Sequence, residues 1–263
     1  MRSQPILAAL SILIGLAGNA QTLSVDLVTT GAGSWIYIAK DAGSEVLYFN
    51  KVPVNAYVSF MGFKAFAGIP LLWSVRTKGG AYDNGLVRLA DINLYVGRPV
   101  GPLEPRLGVK VPTGYRTDRV WIGSRNVKLQ AGLGLNSEVR EVGRLNAAGE
   151  VMFDLYLPGP NALAMWKSWE LLPSFKISFR PVERTRIGLE LLASVKSVYW
   201  AQDWRETTLG TVPNLYGEFA LSDRVYLNLK AGAGPTLKKS PDDARLRHRG
   251  NSVNLGIALN IYP

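Results

Sequence analysis

The chain of 263 residues contains no cysteine and only one histidine. The absence of cysteine excludes thiolate catalysis, disulfide frameworks and cysteine-ligated zinc or iron–sulfur sites. A single histidine excludes the multi-histidine zinc and non-haem iron sites. Charged residues are also few, at 19%, against 47% hydrophobic residues, so the composition is too apolar for a disordered chain. We therefore expect a folded protein without a metal or an organic cofactor.

The first twenty residues have the composition of a secretory signal peptide. Arg2 supplies the positive charge, residues 6–18 are apolar, and Gly18-Asn19-Ala20 places small residues at the positions that a signal peptidase recognises. The apolar run is shorter than the roughly 20 residues of a membrane-spanning helix. We predict a signal peptide at 1–20 and one domain at 21–263, because no linker or repeat divides the remainder.

A second long hydrophobic run is also lacking. Beyond Asp26 the longest stretch without a charged side chain is 250–263, at 14 residues, whereas a spanning helix needs about 20. The exported chain is therefore either soluble or a transmembrane β-barrel, the other structure that satisfies its backbone hydrogen bonds within lipid.

Alternation of apolar and polar residues runs along most of the chain. Segments 186–196 and 169–180 alternate in this way, with Leu192 as an exception on the polar face of the first segment. Such a period of two is typical of β-strands with one apolar and one polar face. The last segment is the clearest, with one face formed by Val253, Leu255, Ile257, Leu259 and Ile261.

Segment and loop lengths favour a membrane barrel over a soluble sandwich. The segments approach the 9–11 residues or so of a tilted membrane strand, against about 5–6 in soluble sheets. Short connections at 181–185 and 221–224 alternate with long polar ones predicted at 197–208 and 237–250. Outer-membrane barrels have short periplasmic turns and long external loops. Aromatic residues such as Trp169 and Phe179 lie near segment ends, as expected at the two membrane interfaces.

The pattern predicts an all-β, up-and-down antiparallel barrel of about 12 strands, with 10 or 14 as alternatives. At least one further strand is expected in 23–50, where 35–39 and 46–49 are candidates. The other predicted strands are 54–65, 70–78, 86–98, 103–112, 124–136, 148–157, 169–181, 185–197, 211–221, 224–236 and 251–262.

Several short motifs occur in a recognisable order. The stretch 85–95 contains Asp91, 107–114 ends in Pro112-Thr113-Gly114, and a glycine-rich strand follows at 129–135. Together with 215–218 and 255–262, this order resembles the outer-membrane barrels grouped as the "meta-pathway of phenol degradation" transporter family. The resemblance implies transport of aromatic or other small organic compounds. Two features depart from it: residues 86–90 lack the usual glycines, and the chain ends in Pro263.

Charged residues on the polar faces are the candidate functional residues. In a barrel they would line the lumen, where they could either bound an aqueous path or pair with one another and block it. The candidates are Asp91, Lys110, Lys128, Asp154, Glu170, Lys176, Arg180, Arg186, Glu190, Lys196, Glu218 and Lys230.

We predict a channel or transporter for the passive passage of small molecules, with a non-conducting structural or adhesive barrel as the alternative. A lipid-modifying enzyme is a third hypothesis, since His248 and Ser252 could form a nucleophile–base pair. The expected partners are the bilayer, a small-molecule solute, and outer-leaflet lipopolysaccharide beside the basic residues of 237–250. The net charge of +10 has no nucleic-acid-binding motif beside it, so nucleic acid is not an expected partner. No sequence feature indicates an oligomeric state.

Overall fold

The structure is a computed structural model that describes residues 24–39, 46–77, 82–113, 126–135, 141–142, 144–157, 168–201, 204–239 and 247–263. The predicted signal peptide at 1–20 lies outside these residues. No described segment forms a helix long and apolar enough to cross a bilayer.

Within these described residues, sixteen β-strands make up a single antiparallel sheet. They are β1 (Ser24–Ala39), β2 (Val46–Val52), β3 (Val54–Phe60), β4 (Phe63–Gly68), β5 (Leu71–Thr77), β6 (Tyr82–Leu89), β7 (Ile92–Gly97), β8 (Leu103–Val111), β9 (Lys128–Leu135), β10 (Glu141–Val142), β11 (Leu145–Tyr156), β12 (Trp169–Val182), β13 (Thr185–Ala201), β14 (Trp204–Ala220), β15 (Val225–Lys239) and β16 (Arg247–Ile261).

The sheet closes on itself because β1 pairs with β16 along residues 28–39 and 250–261. Three strands of the wall are each built from two collinear halves. One edge of β1 pairs with β3 and, farther along, with β2. Strand β3 pairs with β4, and β4 pairs with β7. Strand β2 pairs with β5, and β5 pairs with β6. Counted with these halves joined, the barrel has 12 strands, and β10 is an extra short strand beside β11. The predicted all-β barrel of about 12 strands is confirmed.

Two prolines cause the interruption between the halves. Pro53 and Pro70 separate β2 from β3 and β4 from β5, and neither has an N–H to donate to a neighbouring strand. The Ala90 amide donates to the Pro70 carbonyl at 2.8 Å. Pro70 has no N–H that could donate to the Ala90 carbonyl in return. The Thr113 hydroxyl compensates: it donates to the Ala90 carbonyl at 2.6 Å and accepts from the Ile92 amide at 3.2 Å. The sequence motifs around Asp91 and Thr113 thus meet at this interruption.

Short turns gather at the end of the barrel where β1 begins and β16 ends. The β3–β4 turn consists of Met61 and Gly62, which have φ of 48° and 79°, as in the two-residue turns that suit twisted hairpins. The predicted strand 54–65 is therefore wrong, since it runs through this turn. We call the end with these short turns, where β1 begins and β16 ends, the turn end of the barrel, and we call the opposite end the loop end.

The predicted long loops at the loop end are also wrong in extent. Strands β13 and β14 are hydrogen-bonded as far as the pair Ala201 and Trp204, so most of 197–208 is strand. Strand β15 likewise continues to Lys239, and β16 begins at Arg247, which shortens the connection predicted at 237–250. The polar residues of these segments predict loops. Strands that continue beyond the apolar belt of the barrel can be polar on both faces, so polarity does not mark the end of a strand there.

The distribution of apolar residues is the inverse of that in a soluble protein. Leu189 and Leu215 are 54% and 68% exposed on the outer face, whereas Asp154 and Asn214 on the inner face are 0% and 1% exposed. A soluble sandwich would bury the former and expose the latter. Exposed apolar side chains around a polar interior are typical of barrels that lie in lipid. The same outward exposure recurs around the wall at Leu107, Leu129, Phe175, Ile187, Leu229, Leu255 and Ile257.

Candidate functional site: the barrel lumen

The structure places the twelve predicted lumen residues on or beside strands β6 to β15 of the barrel. Asp91 lies in the interruption between β6 and β7. Strand alternation directs the others to the inner face, together with their buried neighbours. They are distributed as Lys110 on β8, Lys128 on β9, Asp154 on β11, Glu170, Lys176 and Arg180 on β12, Arg186, Glu190 and Lys196 on β13, Glu218 on β14 and Lys230 on β15.

Asp154 is the centre of the charged cluster nearer the loop end. Its carboxylate lies 3.3 Å from the Lys110 Nζ and 3.5 Å from the Lys128 Nζ, and it accepts a hydrogen bond from Gln130 at 2.9 Å. Lys128 also contacts Glu170, with 2.7 Å between Nζ and Oε2. Buried charges of this kind are stable only when they are paired and hydrogen-bonded, and this cluster meets both conditions.

A second charged cluster lies nearer the turn end. Arg186 contacts Glu218 at 3.5 Å, and Lys230 forms an ion pair with Glu190. Lys176 differs from these cations, because its Nζ lies over the ring of Tyr216, 3.9 Å from the centroid, and forms no ion pair among the described residues. The Tyr216 ring lies over Gly188 of β13, so that a Cβ there would collide with it.

A row of aromatic residues and an arginine was not among the predicted residues. The rings of Tyr57 and Phe66 lie 4.8 Å apart, those of Phe66 and Tyr95 stack at 4.6 Å, and the Arg106 guanidinium lies 5.0 Å from the centre of the Tyr95 ring. Arg106 also forms ion pairs of 2.6 Å with Glu104 and with Glu150. The positions of these charges could have been inferred, because 104, 106 and 150 have the same parity along their strands as Lys110 and Asp154.

The lumen also contains a cavity with an apolar wall. Its volume is about 600 Å³, and Leu172, Leu192 and Val212 from β12, β13 and β14 line it. Leu192 is the residue that breaks the alternation in the sequence, and in the structure it contributes to this wall. Hydroxyl groups surround the apolar side chains, and an ion pair of 2.6 Å between Lys238 and Glu206 borders the cavity toward the loop end. The hydroxyl-bearing residues are Ser174, Ser194, Thr208, Thr236 and Ser252.

Glycines on the inner face make room for longer side chains. A Cβ on Gly132 would collide with the Met152 side chain, and one on Gly134 would lie 2.7 Å from the Arg106 guanidinium. A side chain at either position would occupy the space that Met152 and Arg106 fill, which is a reason for glycine within these strands.

His248 does not have the surroundings of a catalytic base. It lies on β16, where its Nε2 is 3.0 Å from the Asn251 side-chain oxygen. Ser252 faces the lumen, and no hydrogen bond joins it to His248 in the part of the chain that the structure describes. The nucleophile–base arrangement that the enzyme hypothesis needs is therefore not formed by these two side chains.

No protein-family model matches the chain, and no curated protein matches it. Solved structures do. An outer membrane channel from Pseudomonas putida F1 aligns over 93% of this chain and 98% of its own, with a TM-score of 0.62 and 13% identity. The NanC porin aligns over 90% and 100%, with a TM-score of 0.47 and 8% identity. The outer membrane protease OmpT from Escherichia coli aligns over 93% and 98%, with a TM-score of 0.33 and 7% identity. The similarity to the Pseudomonas channel shows that this chain has the fold of an outer-membrane β-barrel.

Proposed function

We propose that the protein is an outer-membrane channel through which small molecules pass passively, without covalent chemistry. The observation that carries this proposal is the closed 12-stranded wall with apolar side chains outside and charged side chains inside. A wall of this kind separates lipid from a polar interior, which is the arrangement of a pore. Export through a signal peptide at 1–20 belongs to the same proposal.

The solutes we propose are small organic molecules, aromatic or hydrophobic in part. The sequence resemblance implies this class, and the lumenal cavity supports it. Leu172, Leu192 and Val212 form an apolar surface inside the lumen. Ligand pockets typically have volumes of about 300–1,000 Å³ and combine apolar walls with a few polar groups, and the cavity of about 600 Å³ fits this description.

The outer leaflet of the membrane is the second proposed partner. Lys239 and Arg247 are exposed at the loop end, the end opposite to the short turns. Short turns face the periplasm in outer-membrane barrels, so these cations would lie at the external surface. There they would be attracted to the anionic groups of lipopolysaccharide.

A non-conducting barrel is the alternative, and the charged cluster around Asp154 favours it. Lys128, Gln130 and Asp154 are all buried, so side chains fill that part of the lumen. Reconstitution of the purified protein in planar lipid bilayers separates the two functions. A channel gives stepwise increases in conductance in KCl, and protein denatured by heating serves as the control. Bilayers that contain folded protein and stay non-conducting, with no solute flux into liposomes, would contradict the channel and leave the structural role.

A further inference from the structure

Two lumenal lysines are displaced from the carboxylates that lie opposite them. Lys176 on β12 lies opposite Glu190 on β13 in the strand register, yet Glu190 forms its ion pair with Lys230. Lys176 instead lies over the Tyr216 ring at 3.9 Å. Among the described residues, this cluster contains three cations, Lys176, Lys230 and Arg186, and two carboxylates, Glu190 and Glu218.

The same arrangement recurs nearer the loop end. Lys196 on β13 lies opposite Glu170 on β12, but Glu170 is 2.7 Å from the Lys128 Nζ. The Lys196 Nζ lies 5.8 Å from the centre of the Tyr156 ring. Among the described residues neither Lys176 nor Lys196 has a carboxylate oxygen within 4.0 Å, and both side chains are partly exposed on the inner face. A tyrosine ring attracts an ammonium group but supplies no carboxylate, so both lysines can form an ion pair with the carboxylate of a solute.

The apolar wall of the cavity lies between these two lysines. On β13, Lys196 lies four residues from Leu192 toward the loop end. On β12, Lys176 lies four residues from Leu172 toward the turn end. Four residues of strand span about 13 Å. Ser194 and Ser174 occupy the inward positions between each leucine and its lysine, and both line the cavity. Cationic and apolar groups thus follow one another along the same wall.

We infer that this wall of β12, β13 and β14 binds small organic anions, namely carboxylates with an apolar body, and that Lys176 and Lys196 determine this specificity. The inference rests on the proposed channel function and specifies its solute. The carboxylate of the solute contacts one lysine while its apolar body lies on Leu172, Leu192 and Val212. Lys110, Lys128, Arg186 and Lys230 each contact a carboxylate of the protein and therefore attract an anion much less.

Planar bilayers that contain the folded, purified barrel test the inference. Under a KCl gradient the reversal potential of the wild-type protein is expected to show a preference for chloride over potassium. Sodium benzoate at millimolar concentration is expected to reduce the chloride current more than sodium acetate does, because only benzoate has an apolar body for the cavity wall. Benzoate acting no more strongly than acetate would overturn the apolar part of the site.

Three variants assign these effects to residues. The double variant K176Q/K196Q is expected to lose the chloride preference and to need roughly tenfold more benzoate for the same reduction in current. The variant R184Q loses a positive charge in the exposed turn between β12 and β13 and should behave as the wild type. The double variant L172S/L192S should keep the chloride preference, while benzoate becomes no more effective than acetate.

The outcomes distinguish this inference from the proposed function. A wild-type protein without any conductance contradicts the channel itself. A conducting protein whose chloride preference and benzoate sensitivity are unchanged in K176Q/K196Q overturns the inference and leaves the channel intact. Heat-modifiable migration on a gel verifies folding of each variant. If K176Q/K196Q does not fold, L172S/L192S decides, since benzoate sensitivity like that of the wild type would overturn the inference.

Discussion

The barrel wall differs between its two halves. On the side of β11 to β16 the strands are continuous, and β13 and β14 each have 17 residues. On the side of β2 to β7 each strand is divided into halves of six to eight residues, at Pro53, at Pro70 and at Ala90–Asp91. The difference shows how a barrel accommodates residues that cannot donate a hydrogen bond: it divides three neighbouring strands at one level and leaves the closure intact.

The interiors of the two halves differ as well. Ion pairs occupy the continuous side, where Asp154 on β11 and Glu190 on β13 contact lysines that lie two strands away in the sheet. Stacked rings of Tyr57, Phe66 and Tyr95 occupy the divided side. A buried ion pair requires well-defined distances, because either charge is costly alone, whereas stacked rings tolerate small displacements. We therefore expect substitutions in the continuous half to cost more than those in the divided half.

The largest effect is expected for Asp154→Asn. This change leaves Lys110 without its carboxylate and removes one of the two carboxylates of Lys128, so the free energy of unfolding should fall by about 3–5 kcal/mol. Denaturant titration in lipid vesicles measures it. Glu206→Gln, at the more exposed pair with Lys238, is the control and should cost about 0–1 kcal/mol. Equal costs for the two would show that Asp154 is not a central residue of the interior.

The outer face of the continuous half gives the next effect. Leu189→Arg places a charge among side chains that we expect to contact lipid, and the free energy of unfolding should fall by about 2–4 kcal/mol near the midplane of the bilayer. Leu221→Arg makes the same substitution in the turn after β14 and should cost about 0–1 kcal/mol. A near-neutral Leu189→Arg in the same vesicle titration would contradict a lipid-facing position for β13.

A smaller effect is expected for Thr113→Val in the divided half. The substitution keeps the shape of the side chain but removes the hydroxyl that donates to the Ala90 carbonyl and accepts from the Ile92 amide. We expect a loss of about 1–3 kcal/mol in the free energy of unfolding, because both backbone groups lose a partner. Thr113→Ser retains the hydroxyl and should recover most of this loss. A stability for Thr113→Val equal to that of the wild type would show that these hydrogen bonds do not hold the divided strands together.

Phe66→Leu should have the smallest effect. It removes the stacking of Phe66 with Tyr57 and Tyr95, and aromatic pairs contribute about 0.5–1.5 kcal/mol beyond the area that they bury. Tyr95→Phe keeps the stacked ring and is the control. If Phe66→Leu cost as much as Asp154→Asn, the expected difference between the two halves would be contradicted.

Alternation predicted the fold because each strand has one face toward each environment. It located the strands of the C-terminal half, and Asp91, Lys110 and Asp154 were assigned to the lumen on the same basis. It failed on 54–65, where apolar residues continue through the turn at Met61 and Gly62. It also failed on 197–208, where polar residues are still part of strands. In both cases hydrogen bonding between strands decided the structure, and polarity did not reveal it.

The partners of the lumenal charges could not be predicted. Glu190 lies opposite Lys176, yet Lys230 from β15 forms the ion pair with it. Lys230 lies on β15, which is separated from β13 by β14, so a sequence pattern along neighbouring strands does not reveal this contact. Arg106 is a similar case, since its contacts with Tyr95 and Glu150 join three strands.

Residue order alone determined that this chain forms long β-strands with one apolar and one polar face, and it favoured a barrel over a sandwich, because a period of two over segments of this length suits a wall between two environments. Folding in three dimensions decided which cations stay unneutralised. Charges are counted in a sequence, but neutralisation depends on distances of a few ångströms between strands, and only the completed wall fixes those distances.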